Sequence, residues 1–227
     1  LGHFRSTDDG LTWANANGGL SSFQARAFVQ VGTEIFAAIN GLHRSTNNGV
    51  SWTLVPGSNS FIDKSVISFN GNLYAGGSGI YRSTNNGASF FGVGSTGDAW
   101  GIAVIGSTIY GADGNRITHS TNDGVTWFPR TATIGSTISD LKVNGTTLIA
   151  SGGLTGVFFS NDGGVSWQAR NEGLTNIQVM RLVIAGSYIY AGVRNNGGVW
   201  RRLLSELTSV REIANTIPEH ISLEQNY

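Results

Sequence analysis

Short apolar segments alternate with turns rich in Gly and Asn along most of the chain. One repeating unit contains four such segments: Ala25–Val31, Glu34–Ile39, Leu42–Ser45 and Ser51–Val55. Segments of this length that are bounded by turn residues are typical of β-strands. Gly32-Thr33 and Asn144-Gly145 lie between the first and second segments of their units, where a two-residue hairpin requires positive φ. The pattern predicts antiparallel β-structure with four strands in each unit.

A turn motif recurs at a nearly fixed period. Its leading serines are 39, 38, 37 and 40 residues apart, and the five repeat motifs cover residues 6–13, 45–52, 83–90, 120–127 and 160–167. Each motif carries an Asx, a Gly and an aromatic residue at constant offsets: Asp8, Gly10 and Trp13; Asn47, Gly49 and Trp52; Asn85, Gly87 and Phe90; Asn122, Gly124 and Trp127; Asp162, Gly164 and Trp167. Such a period with four strands per unit predicts a β-propeller of four-stranded antiparallel blades.

Each position of the motif has a structural explanation. An Asx side chain can accept backbone N–H groups and hold a turn. The glycine supplies a backbone conformation that other residues adopt only at a cost. The aromatic residue can cover the hairpin with a large apolar face. We therefore expect these fifteen positions to have structural roles.

The repeat motifs resemble the Asp-box (BNR) family, Ser-x-Asp-x-Gly-x-Thr-Trp, and the resemblance covers residues 1 to 202. It implies that each motif is the hairpin between the third and fourth strands of a propeller blade. The same motif occurs in sialidases, xyloglucanases, sortilin-type receptors and a photosystem II assembly factor. The resemblance therefore predicts the fold and leaves the function open.

The overall composition disfavours several classes of partner. The chain has 227 residues, of which only 12% are charged, and its 14 basic and 14 acidic residues cancel. A neutral chain without a basic cluster lacks the electrostatic attraction that nucleic acids and anionic membranes require. No apolar run approaches the ~20 residues of a transmembrane helix, and there is no cysteine. No phosphate-binding glycine loop is present, so we expect no cofactor.

A metal site is not expected either. Calcium loops need carboxylates at alternate positions, whereas the second and third repeat motifs carry Asn47-Asn48 and Asn85-Asn86. The four histidines occupy different offsets in their units or lie in the tail. We interpret the repeat motifs as metal-free turns.

Candidate catalytic residues are few. The arginine triad and the Arg-Ile-Pro segment of sialidases are not recognisable, because Arg5, Arg44, Arg82 and Arg201 share one repeat position and should be structural or surface groups. Other glycosidases need only two carboxylates across the scissile bond. Asp63, Asp98 and Asp140 lie near the starts of first strands, so they could form such a set or could be charges at the rim of the channel.

First strands of propeller blades begin at one mouth of the central channel. Residues near these starts make up a mixed set with one aromatic member: Arg26, Asp63, Lys64, Trp100, Asp140, Gln178 and Arg181. We expect this set to form the binding rim, if the protein has one.

The C-terminal part departs from the repeat. We expect a propeller over residues 1–204 and a strand or linker over residues 205–227. Residues 217–227, Ile-Pro-Glu-His-Ile-Ser-Leu-Glu-Gln-Asn-Tyr, resemble the segment preceding the sorting domains of type IX secretion cargo proteins. This resemblance implies export to the cell surface or the medium, with a sorting domain absent from this sequence.

The strand count predicts an incomplete first blade. Leu1–Ala14 provides only two outer strands, and the last unit has three strands, to which Ser209–Ile213 could add a fourth. We therefore expect six blades, with the first taking its inner strands from upstream residues or from a neighbouring chain, because exposed sheet edges are avoided.

The sequence thus favours a secreted, non-enzymatic propeller that acts as a binding or structural module at the cell surface or in an extracellular assembly. Candidate partners are an extracellular protein, a polysaccharide or further copies of the chain. The alternative is a glycoside hydrolase or lyase that acts on extracellular polysaccharide.

Overall fold

The computed structural model describes residues 2–20, 22–58, 61–94, 97–195 and 197–208. In these ranges the chain forms antiparallel sheets and one short helix. Four sheets contain four strands each, and we call them blades 1 to 4. Blade 5 has three strands, and an N-terminal sheet has two.

The strands follow one another along the chain. The N-terminal sheet contains β1 (Phe4–Arg5) and β2 (Ala14–Asn15). Blade 1 contains β3 (Ala27–Val31), β4 (Glu34–Ala38), β5 (Leu42–Ser45) and β6 (Thr53–Leu54). Blade 2 contains β7 (Ile62–Phe69), β8 (Asn72–Gly77), β9 (Ile80–Ser83) and β10 (Phe91–Gly94). Blade 3 contains β11 (Ile102–Ile105), β12 (Thr108–Asp113), β13 (Arg116–Ser120) and β14 (Phe128–Thr133). Blade 4 contains β15 (Asp140–Asn144), β16 (Thr147–Ser151), β17 (Val157–Ser160) and β18 (Gln168–Ala169). Blade 5 contains β19 (Val179–Ala185), β20 (Tyr188–Val193) and β21 (Gly198–Leu203), followed by α1 (Leu204–Thr208).

Every blade is a simple meander in which each strand pairs with the next one along the chain. The first strands of successive blades contact one another, in the order β3, β7, β11, β15 and β19. This arrangement places the first strands around a common channel and the fourth strands on the outside. The starts of the first strands are therefore the part of each blade that can meet at one site.

Apolar side chains fill the spaces between neighbouring blades. One cluster joins Phe36 and Leu42 of blade 1 to Val66 and Leu73 of blade 2. Small residues on the second strands permit this approach. A Cβ added to Gly111 would lie 2.3 Å from the Cδ1 atom of Ile80 on the preceding blade. The fold is thus held together by repeated contacts between sheets.

The two ends of the described chain differ from complete blades. β1 and β2 pair with each other, and among the described residues neither belongs to a larger sheet. A bridge from Gly18 to Ser51 attaches this part to blade 1. At the other end, α1 begins at Leu204, whereas a strand or linker was expected near this point. The predicted strand at 209–213 and the segment 217–227 lie outside the described residues.

Candidate binding site at the channel

The repeat motifs lie where third strands turn into fourth strands, and in the N-terminal sheet the motif joins β1 to β2. In the second motif, the Gly49 N–H donates to Ser45 Oγ at 2.8 Å and the Ser51 N–H donates to Asn47 Oδ1 at 2.9 Å. The corresponding pairs of bonds occur in the other four motifs at 2.7–3.0 Å. The serine and the Asx side chain therefore organise each turn together.

Two consecutive residues of each motif have positive φ. Asn48 and Gly49, for example, have φ of 55° and 78°. The same pair of conformations occurs at Asp9 and Gly10, Asn86 and Gly87, Asp123 and Gly124, and Gly163 and Gly164. From the sequence, this conformation was predicted for the glycine alone. The preceding residue is always Asn, Asp or Gly, the types that tolerate positive φ best, and this was the available signal.

Burial of the motif's aromatic residue varies around the molecule. Trp52 is 7% exposed and its indole N–H donates to Ala16 O at 3.0 Å, whereas Trp13 is 63% exposed. Phe90, Trp127 and Trp167 are partly buried. The aromatic residue was expected to cover its own hairpin in every motif. Its burial instead differs from one motif to the next.

The carboxylates of the first and fifth motifs are held as anions. Hydrogen bonds from the Thr12 hydroxyl and backbone lower the pKa of Asp8 to about 2. Burial acts to raise the pKa of Asp162, but hydrogen bonds from Ser166 and Ser160 outweigh it and lower this pKa to about 2. Over the described ranges, no group of three or more His, Asp or Glu side chains could hold a metal ion.

A cavity of about 230 Å³ opens where the first strands begin. Side chains from all five blades reach it, including Arg26, Lys64, Trp100, Asp140 and Arg181. The predicted rim residues thus meet, with two exceptions. Asp63 touches the site only through Arg26, and Gln178 lies outside it, where its side chain accepts a hydrogen bond from Asn195 at 2.9 Å.

Trp100 is the centre of this site. The guanidinium carbons of Arg26 and Arg181 lie 4.9 and 5.6 Å from its ring centroid, and Lys64 Nζ lies 5.0 Å away. Arg26 and Lys64 belong to the consecutive blades 1 and 2, whereas Arg181 belongs to blade 5, more than a hundred residues further along the chain. Cation–π attraction holds positive groups over the electron-rich face of the ring. The fold thereby gathers like charges around one aromatic residue.

Ion pairs join neighbouring blades beside the ring. Arg26 pairs with Asp63 of blade 2, and Lys64 pairs with Asp98, which precedes β11 of blade 3. Both pairs span the boundary between two first strands. They fix the spacing of the blades and at the same time neutralise two of the three cations around Trp100.

Asp140 is the most enclosed carboxylate of the site, at 5% exposure. It accepts hydrogen bonds from the Leu141 and Leu182 backbone N–H groups, both at 2.9 Å, and from Lys142 Nζ at 2.8 Å. Lys142 was not among the residues predicted for the rim. Its position two residues after Asp140 on β15 was the available signal, because alternate residues of a strand share a face.

Arg181 is held differently from the other cations. It donates through Nη1 to Ser139 O at 2.8 Å and to Met180 O at 2.9 Å. Within the part of the chain that the structure describes, it forms no ion pair. Its charge is therefore the one that no carboxylate of the site neutralises.

The repeated arginines lie elsewhere. Arg44, Arg82 and Arg201 lie on third strands, and their guanidinium carbons lie 6.0, 6.0 and 5.1 Å from the ring centroids of Phe36, Tyr74 and Tyr188 on the adjacent second strands. Arg5 donates to Asn48 O at 3.1 Å, across the junction between the N-terminal sheet and blade 1. None of these four arginines lines the channel cavity.

Solved structures with the same arrangement of sheets include three informative examples. The extracellular domain of a putative one-component system from B. thetaiotaomicron has TM-score 0.65 and 14% identity, over 87% of this chain and 30% of that one. An ancestral GH74 enzyme has TM-score 0.63 and 19% identity, over 89% and 35%. A chain of a nidogen/laminin complex has TM-score 0.62 and 14% identity, over 80% and 76%. This chain is a β-propeller.

The likeness concerns the fold alone, because the identities are low. The propeller spans 30% and 35% of the lengths of the first two structures. No family model matches the sequence, and no curated protein matches it. Among the described residues, no helix has the length and apolar character needed to cross a membrane.

Proposed function

We propose that the chain is part of a secreted, non-enzymatic Asp-box propeller that binds an extracellular protein or polysaccharide at the channel cavity. The observation that carries the proposal is the convergence of Arg26, Lys64 and Arg181 on Trp100 at a cavity lined by all five blades. Ligand sites are usually concave, with a few polar groups placed to fix orientation. The cavity has both properties.

The state of the carboxylates supports binding over hydrolysis. Asp63, Asp98 and Asp140 each form an ion pair with a cation. For any of them to act on a substrate as an acid or a nucleophile, its ion pair would have to open so that the carboxyl group can reach the scissile bond. We therefore expect no turnover of sialosides or β-glucans. Hydrolysis that is lost in Asp63→Asn, Asp98→Asn or Asp140→Asn would support the glycosidase alternative.

A binding screen tests the proposal directly. Extracellular polysaccharides and matrix peptides would be arrayed and probed with the wild-type protein and with Trp100→Leu. Trp13→Leu is the matched control, because Trp13 is an exposed tryptophan of the N-terminal sheet that does not line the channel cavity. We expect binding to be lost in Trp100→Leu and kept in Trp13→Leu. Ligands that bind both variants equally would contradict a site at the channel.

Secretion is a separate part of the proposal. The type IX resemblance of residues 217–227 supports it. Structural neighbours that are extracellular domains are compatible with it. Fusion of residues 205–227 and a type IX sorting domain to a reporter, expressed in a bacterium with this secretion system, should place the reporter outside the cell. Retention of the reporter, with export of a known cargo in the same strain, would contradict secretion by this route.

We also propose that the ring has six blades, with β1 and β2 as the outer half of one of them. In blade 1, the third strand pairs with the second through Phe36↔Arg44 and Ala37↔His43. β1 corresponds to that third strand but lacks such a partner among the described residues. A cleft of about 720 Å³ lined by Phe4, Trp13 and Phe28 lies beside it. An inner hairpin like β3–β4 would cover this edge.

A peptide with the sequence of residues 25–42 tests the six-blade proposal in trans. Its binding should shift Trp13 fluorescence to the blue and raise the melting temperature, with a scrambled peptide as control. Trp13→Phe should abolish the fluorescence response and keep the thermal response. Absence of both responses to saturating peptide would contradict the proposal.

A further inference from the structure

The charge of the channel site is unbalanced by one unit. Arg26, Lys64, Lys142 and Arg181 bring four positive charges, and their partners Asp63, Asp98 and Asp140 bring three negative charges. The excess lies at Arg181, whose described contacts at this site are two backbone carbonyls and the Trp100 ring. A chain without net charge thus has a local positive excess at its channel.

The three cations around Trp100 also repel one another. Each lies within 6 Å of one ring centroid, at 4.9, 5.0 and 5.6 Å. Cations that share the surroundings of one ring repel one another in a partly enclosed site, and Asp63 and Asp98 offset this repulsion for Arg26 and Lys64. An anion beside Arg181 would neutralise the remaining charge and would meet several charge-assisted donors at once.

The aromatic residues of the cavity disfavour a sugar ring as the main contact. Trp100 is already engaged by cations, and Phe28 lies 6.0–6.2 Å, centroid to centroid, from His3 and Trp52. Phe28 is 53% exposed, but together with His3 and Trp52 it also lines the cleft beside the N-terminal sheet, so only Trp100 lies at the centre of the cavity. The contact groups that remain are the guanidinium and ammonium groups, whose natural complement is a carboxylate.

We propose that the channel cavity binds the side-chain carboxylate of an acidic peptide, with Arg181 as the principal partner of the carboxylate. Arg26 and Lys64, which also lie beside the Trp100 ring, assist while remaining paired with Asp63 and Asp98. The cavity volume of about 230 Å³ suits one acidic side chain and excludes a longer folded segment. This inference rests on the proposed function and specifies its ligand.

The experiment uses tryptophan fluorine NMR on the whole chain, which has six tryptophans. Protein labelled with 5-fluorotryptophan would be titrated with acetyl-Gly-Glu-Gly-amide, and the Trp100 signal would be assigned with Trp100→Phe. The neutral analogue acetyl-Gly-Gln-Gly-amide is the matched control ligand. We expect the Trp100 signal to shift with the Glu peptide and to stay unchanged with the Gln peptide. Added salt should weaken the effect.

Two protein variants sharpen the assignment. Arg181→Gln should weaken binding of the Glu peptide by about tenfold or more, which is the usual cost of losing a hydrogen bond from a charged group. Arg201→Gln is the matched control, since it removes an arginine of the same blade that stacks over Tyr188 outside the cavity. The control should bind like the wild type.

The possible results separate this inference from the broader one. Equal responses to the Glu and Gln peptides, or an unchanged affinity in Arg181→Gln, would overturn the carboxylate assignment. Binding of acetyl-Gly-Gly-Gly with a free C-terminal carboxylate, and not of the Glu peptide, would overturn the side-chain assignment. If polygalacturonate binds and the peptides do not, the assignment of a peptide ligand is wrong, whereas the proposal that the channel binds a ligand stands. If ligands of the binding screen bind the wild type and Trp100→Leu equally well, the channel is not the binding site and the proposed function is wrong.

Discussion

The first and second repeat motifs have the same local structure and very different surroundings. In both, the serine Oγ accepts the glycine N–H at 2.8 Å, and the Asx Oδ1 accepts a backbone N–H at 2.9 Å. Yet Trp13 is 63% exposed and Trp52 is 7% exposed. The hydrogen bonds of the motif therefore depend only on the hairpin itself, whereas burial of its tryptophan depends on the neighbouring sheet.

The indole group of each tryptophan reflects this difference. Trp13 donates to Gly10 O of its own turn at 3.1 Å. Trp52 donates at 3.0 Å to Ala16 O, which belongs to the preceding unit. One residue type in one motif thus serves as a cap on its own hairpin at one place and as a link between units at the next. Trp127 of blade 3, which lies between two complete blades, also donates to its own turn, at 3.0 Å to Gly124 O. The link made by Trp52 is therefore particular to the junction between the N-terminal sheet and blade 1.

The largest expected effect comes from removing the two tryptophans. Trp52→Ala should lower the free energy of unfolding by about 3–5 kcal/mol, as large-to-small changes in a core do. Trp13→Ala should lower it by less than about 1 kcal/mol, because the side chain is mostly exposed. Urea denaturation midpoints would measure both. Similar losses in the two variants would show that burial in blade 1 does not determine the contribution of Trp52.

The sequence was sufficient to predict the parts of the fold that repeat. The period of the motif and the glycine turns predicted four-stranded antiparallel units, which the structure shows. The exposure of Trp13 could not be read from its motif, because it depends on strands that pack from outside the unit. Likewise, the spacing of the rim residues gave no reason to expect three cations on Trp100. That contact requires the curvature of the ring, which brings blades 1, 2 and 5 together.

A smaller effect is expected from the leading serines. Ser45 Oγ accepts a hydrogen bond from the Gly49 N–H and donates one to Asn47 Oδ1. Because Ser45→Ala removes both bonds at a buried position, it should lower the free energy of unfolding by about 1–3 kcal/mol. Ser6→Ala removes the same bonds at a more exposed hairpin, where water can replace them, and should cost less. Thermal unfolding of the two variants would test this order. A larger loss in Ser6→Ala would mean that solvent does not compensate at the N-terminal sheet.

The acidic motifs should respond to pH. The pKa of Asp162 is about 2 in the folded protein against 3.8 as its ordinary value, so folding is favoured by the ionised carboxylate above pH 3.8. This contribution is lost as pH falls from 3.8 through about 2. Since the side chain is largely solvated, we expect a change below about 1 kcal/mol relative to Asp162→Asn. Urea midpoints of both proteins between pH 5 and about 2 would measure it. A constant difference between them across this range would contradict the assignment.

The smallest expected effect is that of Asn47→Asp, which converts the second motif into the acidic form of the first and fifth. Asn47 Nδ2 donates to Ser51 Oγ at 2.8 Å, whereas in the fifth motif the Ser166 hydroxyl donates to Asp162 Oδ2 at 2.5 Å. A hydroxyl group can rotate to donate or to accept, so the contact survives with its direction reversed. We expect the free energy of unfolding at pH 7 to change by less than about 0.5 kcal/mol. Calcium and EDTA should leave the melting temperature of both proteins unchanged, because the turn is closed by its own hydroxyl and amide groups. If calcium raises the melting temperature of Asn47→Asp alone, one added carboxylate is enough to create a cation site. If calcium also raises the melting temperature of the wild type, the metal-free interpretation of the motifs is wrong.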